Sequence, residues 1–137
     1  DFMKLAEIYV NKAKKDPAKK VENIDKAIGV YAKLAEKYPT LKPFAKLQEG
    51  NTAFQNELDD KAIAAYTEVI NDLEAKQCDE DELSYLKTSY QYMGFIYTYD
   101  KQDFDTAKPY WDKLLKLDPQ NKLANDAYEK AGLKPGE

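Results

Sequence analysis

The residues with the clearest potential for chemistry are four consecutive acids, Asp79-Glu80-Asp81-Glu82, beside the only cysteine, Cys78. Carboxylates bind hard cations, but this run lacks the alternating ligand spacing and the turn glycine of a calcium loop. Acidic neighbours also disfavour the thiolate form of Cys78, which is the nucleophilic form. The run is therefore predicted to be a solvated loop whose acids lie at the positive end of the following helix, and no metal site is predicted.

The other side chains on which catalysis usually depends are missing from the sequence. All 21 basic residues are lysines, because the chain has no histidine and no arginine. This removes the commonest general base, the commonest nitrogen ligand for metals and every guanidinium clamp. A single cysteine excludes an internal disulfide and a thiolate zinc site, and there is no glycine-rich phosphate loop. The sequence therefore predicts neither an enzyme nor a cofactor.

Charge is distributed unevenly along the 137 residues, whose net charge is −4. Residues 1–46 carry a net charge of +5, residues 47–85 carry −9, and residues 86–137 are balanced. The acidic middle argues against nucleic-acid binding, and no apolar run reaches the ~20 residues that span a bilayer. We expect a soluble domain with no membrane insertion. Lysine without arginine favours a bacterial source, in which case the compartment is cytoplasmic or periplasmic.

One spacing of small and apolar residues recurs 80 residues apart along the chain. Its steps are four, three and five residues, and the two copies are Ala27, Tyr31, Leu34 and Pro39, then Ala107, Trp111, Leu114 and Pro119. Between them lies a third copy made of Ala62, Tyr66 and Val69, with Glu74 at the proline position. Such self-similarity predicts a repeat architecture.

A second pattern precedes each copy, in the order large apolar, apolar, small, aromatic. It is formed by Phe2, Leu5, Ala6 and Tyr9, and again by Tyr90, Met93, Gly94 and Tyr97. These offsets share one face of a helix, and the small residue lets a second helix approach closely. In the middle copy Gly50 fits the small position in one register, whereas Leu47 and Phe54 fit the large positions one residue later. That register stays open.

The combined pattern resembles the tetratricopeptide repeat, a pair of antiparallel helices of about 34 residues. The resemblance implies one all-α domain over residues 1–137, a right-handed α-solenoid of antiparallel helix pairs. Its three repeats would cover about 1–40, 41–81 and 82–120, with a capping helix at about 121–131. Three departures from the pattern are expected in loops or at helix ends. They are about nine extra residues before Ala27, about ten more residues and no proline in the second repeat, and one extra residue before Asp103.

Helix bounds follow from the repeats and from the turn residues. First helices are predicted at about 2–14, 43–56 and 82–99, second helices at about 23–37, 60–76 and 104–117. Predicted N-caps are Asp59, Asp103 and Asn121, while Pro39 and Pro119 stop helices and Gly132 forms a C-terminal cap. Pro109 is tolerated if its helix starts at Asp105, and a kink is expected if the helix starts at Asp103.

Aromatic residues concentrate between Tyr85 and Tyr99, with six in 15 positions. If Tyr90 and Tyr97 face the partner helix, the opposite face carries Thr88, Gln91, Tyr92, Phe95 and Tyr99. The resemblance implies that this face lines a concave peptide groove, together with Gln48, Asn51 and Gln55 from the second repeat. Amides suit a peptide backbone and rings suit its apolar side chains. Alternatively, the rings pack against a neighbouring helix, or the chain's own ends fill the groove.

The best-known groove in this family holds an acidic C-terminus with a clamp of lysine, asparagine and arginine. Here Met3 and Glu7 in the first repeat, and Thr88 and Tyr92 in the third, stand at the corresponding positions. The clamp is absent, so a neutral or mixed-sequence ligand is expected. We therefore predict a non-catalytic scaffold that binds a protein or an extended peptide. The alternative is a structural or self-associating segment of a longer repeat protein, with a polar last helix and an N-terminal face that another element covers.

Overall fold

A computed structural model describes residues 1–136, which form helices and turns without any strand. The seven α-helices of this region are α1 (Phe2–Lys15), α2 (Lys20–Lys37), α3 (Lys42–Gln55), α4 (Asp59–Leu73), α5 (Glu80–Phe95), α6 (Phe104–Leu117) and α7 (Lys122–Lys130). Short 3₁₀ turns at Pro17–Lys19 and Pro39–Leu41 lead into α2 and α3, and a π-helical segment at Ile96–Asp100 continues α5. The all-α prediction is confirmed.

The polar residues at the helix starts act as caps, as their side chains satisfy amides that have no partner within the helix. Asp103 Oδ1 accepts a hydrogen bond from the Thr106 amide, and Asn121 Oδ1 accepts one from the Ala124 amide. Both predicted caps are confirmed. The prediction for Asp59 is wrong by one position, because Leu58 is the N-cap and Asp59 is the first residue of α4. At this position the negative charge of Asp59 interacts favourably with the positive end of the helix dipole, although Asp59 is not the N-cap residue.

The acidic run after Cys78 lies at the positive end of a helix, as predicted, but Glu80, Asp81 and Glu82 are in the first turn of α5 and not in the predicted loop. Asp79 Oδ1 accepts from the Glu82 amide at 2.8 Å, and Glu82 Oε1 accepts from the Asp79 amide at 3.1 Å. This reciprocal capping box satisfies two amides of the first turn. It also starts α5 at Glu80, two residues before the expected position.

The helix ends follow the proline and glycine positions. α2 and α6 end two residues before Pro39 and Pro119, respectively. At the end of α7, Gly132 has φ = +73°, and the next amide, that of Leu133, bonds to the Tyr128 carbonyl. This is the Schellman arrangement, which needs a residue that tolerates a positive φ. The predicted C-terminal cap is confirmed.

Pro109 lies inside α6 and not in its first turn, because the helix begins at Phe104. A proline at this place cannot donate to the carbonyl four residues earlier, that of Asp105. The kink that we expected for a start at Asp103 stays a prediction. The nine extra residues of the first repeat lengthen helices instead of forming a long loop, since α1 reaches Lys15 and α2 begins at Lys20.

The contacts divide the chain into two compact units, Asp1–Gln77 and the residues from Cys78 onward. In the first unit consecutive helices pack on each other, α1 on α2, α2 on α3 and α3 on α4. In the second unit α5 packs on α6, and α7 contacts both. This packing of consecutive helix pairs is that of a tetratricopeptide-like α-solenoid, as predicted. The repeat bounds and the single domain over 1–137 stay predictions, and Glu137 lies outside the described residues.

Within the helix pairs a small residue lies directly under an aromatic ring. A Cβ atom on Gly50 would come within 2.6 Å of Tyr66 Cε1, and one on Gly94 would come equally close to the Trp111 ring. Tyr66 and Trp111 are both fully buried. Any larger residue would push the helices apart, so glycine permits the close approach. Gly50 therefore takes the small position of the second repeat, which settles the register that the sequence left open.

Candidate binding faces

The amide face of α3 consists of Gln48, Asn51 and Gln55. Gln48 and Asn51 are half-buried and Gln55 is exposed. Asn51 Oδ1 accepts a hydrogen bond from the hydroxyl of Tyr66 at 2.7 Å. This bond fixes the orientation of the Asn51 amide, whose NH₂ group remains as the donor that a ligand carbonyl would need.

The aromatic face of α5 is formed by five half-buried side chains, namely Thr88, Gln91, Tyr92, Phe95 and Tyr99. The rings of Phe95 and Tyr99 pack at 4.8 Å between centroids with a tilt of 46°. Aromatic side chains lose little entropy on binding and supply a large contact area. The aromatic face of the second unit therefore leaves part of its apolar surface exposed to solvent.

The element α7 touches both ends of the aromatic face. The Asn121 side-chain amide donates to Gln91 Oε1 at 3.1 Å, and Lys130 Nζ lies 5.1 Å from the centroid of the Tyr99 ring. The chain's own C-terminal helix thus engages part of the face, which was one of the alternatives left open by the sequence. All five face residues nevertheless remain half-exposed.

The π-helical segment accommodates the extra residue of the third repeat. In the second repeat the Leu58 amide bonds to the Ala53 carbonyl, and in the third the Asp103 amide bonds to the Tyr97 carbonyl at 2.7 Å. The two bonds are equivalent, but the second spans one more residue. In between, the Lys101 amide bonds to the Ile96 carbonyl, five residues back, which is the π pattern. The insertion therefore widens one helical turn, directly beside Tyr99.

The widened turn also brings a hydroxyl into the core. The indole Nε1 of Trp111 donates to Thr98 Oγ1 at 2.8 Å, and both side chains are buried. Tyr97 stacks on Tyr110 with ring planes 3° apart. A buried indole N–H needs an acceptor, so Thr98 lets the large ring be buried without an unmet donor. The sequence pattern identified Tyr97 as a packing residue and missed Thr98.

An ion pair that the sequence did not suggest lies in the first unit. With Gly50 at the small position, Lys46 and Glu49 occupy the places that Phe2 and Leu5 occupy in the first repeat. Lys46 Nζ lies 2.9 Å from Glu49 Oε2 and 3.5 Å from Glu68 Oε2. Burial raises the pKa of Glu49, and its pairing with Lys46 offsets this only in part. Burial opposes the charge of Lys46, but the bonds and charges of both glutamates leave its pKa raised.

This ion pair borders a small cavity between three helices of the first unit. The cavity holds about 190 Å³ and is lined by Asp25 and Ile28 of α2, by Glu49, and by residues of α4. Asp25 and Lys61 form a further ion pair across it at 2.8 Å. Each acid here has a lysine within reach, but Lys46 pairs with both Glu49 and Glu68, so the three acids and two lysines leave a formal charge of −1. The pairs link α3 to α4 and α2 to α4.

A second missed network joins α7 to α6. The hydroxyl of Tyr128, which is fully buried, donates to Asp112 Oδ1, and Lys108 Nζ lies 3.0 Å from Asp112 Oδ2. Burial, reinforced by the bond to Asp112, raises the pKa of Tyr128. Because the anchor is buried, α7 is held by a specific polar contact as well as by its apolar face.

The described residues contain no group of three acidic, cysteine or histidine side chains that is placed to hold a metal ion. Across residues 1–136 no helix has both the length and the apolar character that crossing a membrane requires.

Comparison with known protein families shows a similarity in the first helix pair. A family model described as tetratricopeptide repeat matches residues 2–40. This range holds the whole first helix pair, including the small residue Ala6 and the terminal Pro39. Neither curated proteins nor solved structures yield a match. The first helix pair is therefore similar to a tetratricopeptide repeat, and the packing of consecutive helix pairs in each unit is tetratricopeptide-like.

Proposed function

We propose that this chain is a non-catalytic module that binds an extended segment of a partner protein. The family supports a protein-interaction scaffold. The observation that carries the proposal is the aromatic face of α5, where Tyr92, Phe95 and Tyr99 remain half-exposed next to each other on one helix. Interface energy concentrates in such aromatic clusters.

The chemistry of the faces defines the ligand. The rings of α5 would cover apolar side chains, while Gln91 of the same helix would bond to the ligand backbone. On α3, the amides Gln48, Asn51 and Gln55 offer the same kind of backbone contact. Because Glu7, Thr88 and Tyr92 replace clamp residues, a free terminal carboxylate would gain little at these positions. The expected ligand is a neutral or mixed-sequence peptide.

The test is a double substitution, Phe95→Ala with Tyr99→Ala. We expect capture of the native partner from an extract to fall at least about tenfold, because losing two aromatic contacts removes more than about 1.4 kcal/mol. Helical content, measured by circular dichroism, should stay nearly unchanged. Tyr38→Ala is the matched control, since Tyr38 is an exposed aromatic residue outside the face.

Two results would overturn the proposal. One is undiminished capture by the double variant. The other is loss of helical content in the double variant and also in Tyr92→Ala, which would show that these rings belong to the core.

A second function, as a structural or self-associating segment, is favoured by the outer face of α1. Leu5 and Ile8 are 43% and 45% exposed, whereas their equivalents in the second repeat, Glu49 and Thr52, are 6% and 8% exposed. The difference arises because α2 packs on α3 in the first unit. α1 therefore presents an apolar face of the kind that another helix covers in the next repeat.

A further inference from the structure

The widened turn after α5 borders a cavity of about 280 Å³ in the second unit. The cavity is lined by the rings of Tyr99 and Phe104, by Thr98 and by the fully buried Ala127. Drug-sized ligands fill cavities of about 300–1,000 Å³, so this one suits a single side chain with its adjoining backbone.

The insertion in the third repeat positions these walls. The π-helical segment Ile96–Asp100 carries Tyr99, and Gln102, at φ = +53°, turns the chain into α6. The corresponding turn of the second repeat has the same left-handed residue, Glu57 at φ = +63°, but no π segment. π-helical turns occur frequently at functional sites.

The mouth of the cavity is polar. It carries the exposed Lys130 ammonium and the exposed Gln102 amide, and no carboxylate of residues 1–136 lines the cavity. The other lysine of α7, Lys122, is paired with Asp126 at 2.6 Å. Within residues 1–136 Lys130 has no such ion pair, and its ammonium lies over the Tyr99 ring. An incoming carboxylate would therefore meet a positive charge that no carboxylate of residues 1–136 already pairs with.

We propose that this cavity, the Tyr99 pocket, binds an apolar side chain of a partner peptide that is followed by an acidic residue. The apolar group lies between the Tyr99 and Phe104 rings, where burial in the apolar walls drives binding. The acidic side chain reaches Lys130, and the Gln102 amide bonds to the peptide backbone. The inference rests on the proposed function, because it names the chemistry of a peptide that also contacts the aromatic face.

The test uses nuclear magnetic resonance titration of the isotope-labelled full chain with two isosteric probes. The first is acetyl-Phe-Asp-amide and the second is acetyl-Phe-Asn-amide, which differ in charge and not in size. We expect both to shift the amide signals of Gln102, Ala127 and Lys130. The aspartate probe should bind about two- to fivefold tighter, as an exposed ion pair allows. Acetyl-Gly-Asp-amide, which lacks the apolar group, should leave these signals in place.

Variants locate the contacts. Lys130→Gln should abolish the preference for aspartate while keeping binding of both probes, and Lys116→Gln, an exposed lysine outside the cavity, should preserve the preference. Ala131→Phe narrows the mouth at an exposed position and should weaken both probes. Equal affinities for the two probes, or shifts that do not include the three pocket residues, would overturn the inference.

The outcomes separate the inference from the function on which it rests. If the probes fail but the Phe95 and Tyr99 double variant still loses partner capture, the aromatic face binds the partner without the Tyr99 pocket. If the probes bind as expected but the double variant captures the partner fully, the pocket exists and the proposed function is wrong.

Discussion

At the scale of single residues, the ion pair of Lys46 and Glu49 replaces apolar packing. The first and third repeats place Phe2 with Leu5 and Tyr90 with Met93 at these two positions. In the second repeat Glu49 is buried and Lys46 is half-buried, and the exposed Glu68 is a third partner. Removing two charges from water costs free energy that their attraction repays only in part. Positions 46 and 49 therefore contribute less to stability than the apolar pairs at the same positions of the first and third repeats.

We therefore predict that Lys46→Met combined with Glu49→Leu raises the free energy of unfolding, by about 1–4 kcal/mol. The apolar side chains restore the family pattern and remove two desolvated charges. Urea unfolding followed by circular dichroism measures the change. Lys46→Met alone is the control and should destabilise the chain by about 3 kcal/mol, because it leaves the buried Glu49 carboxylate without that partner.

The difference in stability between the wild type and the double variant should also depend on pH, and its direction follows from the pKa of Glu49. Since the pKa of Glu49 is raised on folding, the native state holds its proton at a pH where the unfolded state has lost it. The stability of the wild type relative to the double variant should fall as pH rises from about 4.5 through the raised pKa, and then level off. A relative stability that rises over this window would show that the ion pair, and not burial, dominates.

At the scale of elements, caps decide where each helix begins, and turn geometry decides which side chains its last turn presents. The acidic run before α5 is used for a capping box, so its charge has a structural role that needs no cation. At the other end of the same helix, one inserted residue becomes a π-helical turn and directs Thr98 to Trp111. The aromatic face thus lies on a helix whose two ends are both fixed by specific hydrogen bonds.

We predict that Asp79→Ala lowers the free energy of unfolding by about 1 kcal/mol, because it removes the side-chain acceptor of the capping box. Thermal or urea unfolding of the full chain measures this loss. Asp81→Ala is the matched control, since it removes an acid from the same turn that is not part of the box. Equal losses for the two variants would show that charge at the helix end matters and the box does not.

At the scale of the whole molecule, a net positive charge and most of the large exposed apolar side chains fall in the N-terminal third. The exposed apolar side chains of α1 include Leu5 and Ile8. They belong to the segment 1–46, which carries a net charge of +5. Like charges on two copies oppose their association through this face. The balance between repulsion and apolar burial decides between a binding module and a self-associating one.

We expect the chain to be monomeric by light scattering at micromolar concentrations, as the binding-module proposal requires. A mass that increases with concentration would favour the self-associating alternative. In that case Leu5→Gln with Ile8→Gln should return the chain to a monomer, because it removes the exposed apolar area of α1. Leu41→Gln, at an exposed apolar residue outside α1, serves as the control.

Local patterns of the sequence determined the helices, the caps at Asp103, Asn121 and Gly132, and the order of the helices in pairs. This was possible because residues three or four positions apart share one face of a helix, so the spacing of small residues, rings and prolines reports which face packs and where the helix ends. Only the tertiary structure decided the register of α3. Lys46 and Glu49 have the pattern of a solvated surface, yet Glu49 is buried and Lys46 is half-buried when Gly50 lies against the Tyr66 ring.

The tertiary structure also decided what lies beside the aromatic face. The sequence predicted which residues of α5 share that face, but the partners Asn121 and Lys130 come from α7, far along the chain. No local periodicity encodes such a contact, because it depends on how α7 is held by Tyr128 and Asp112 against α6. The sequence by itself determined a tetratricopeptide-type repeat, and packing decided which of its surfaces remain open to a partner.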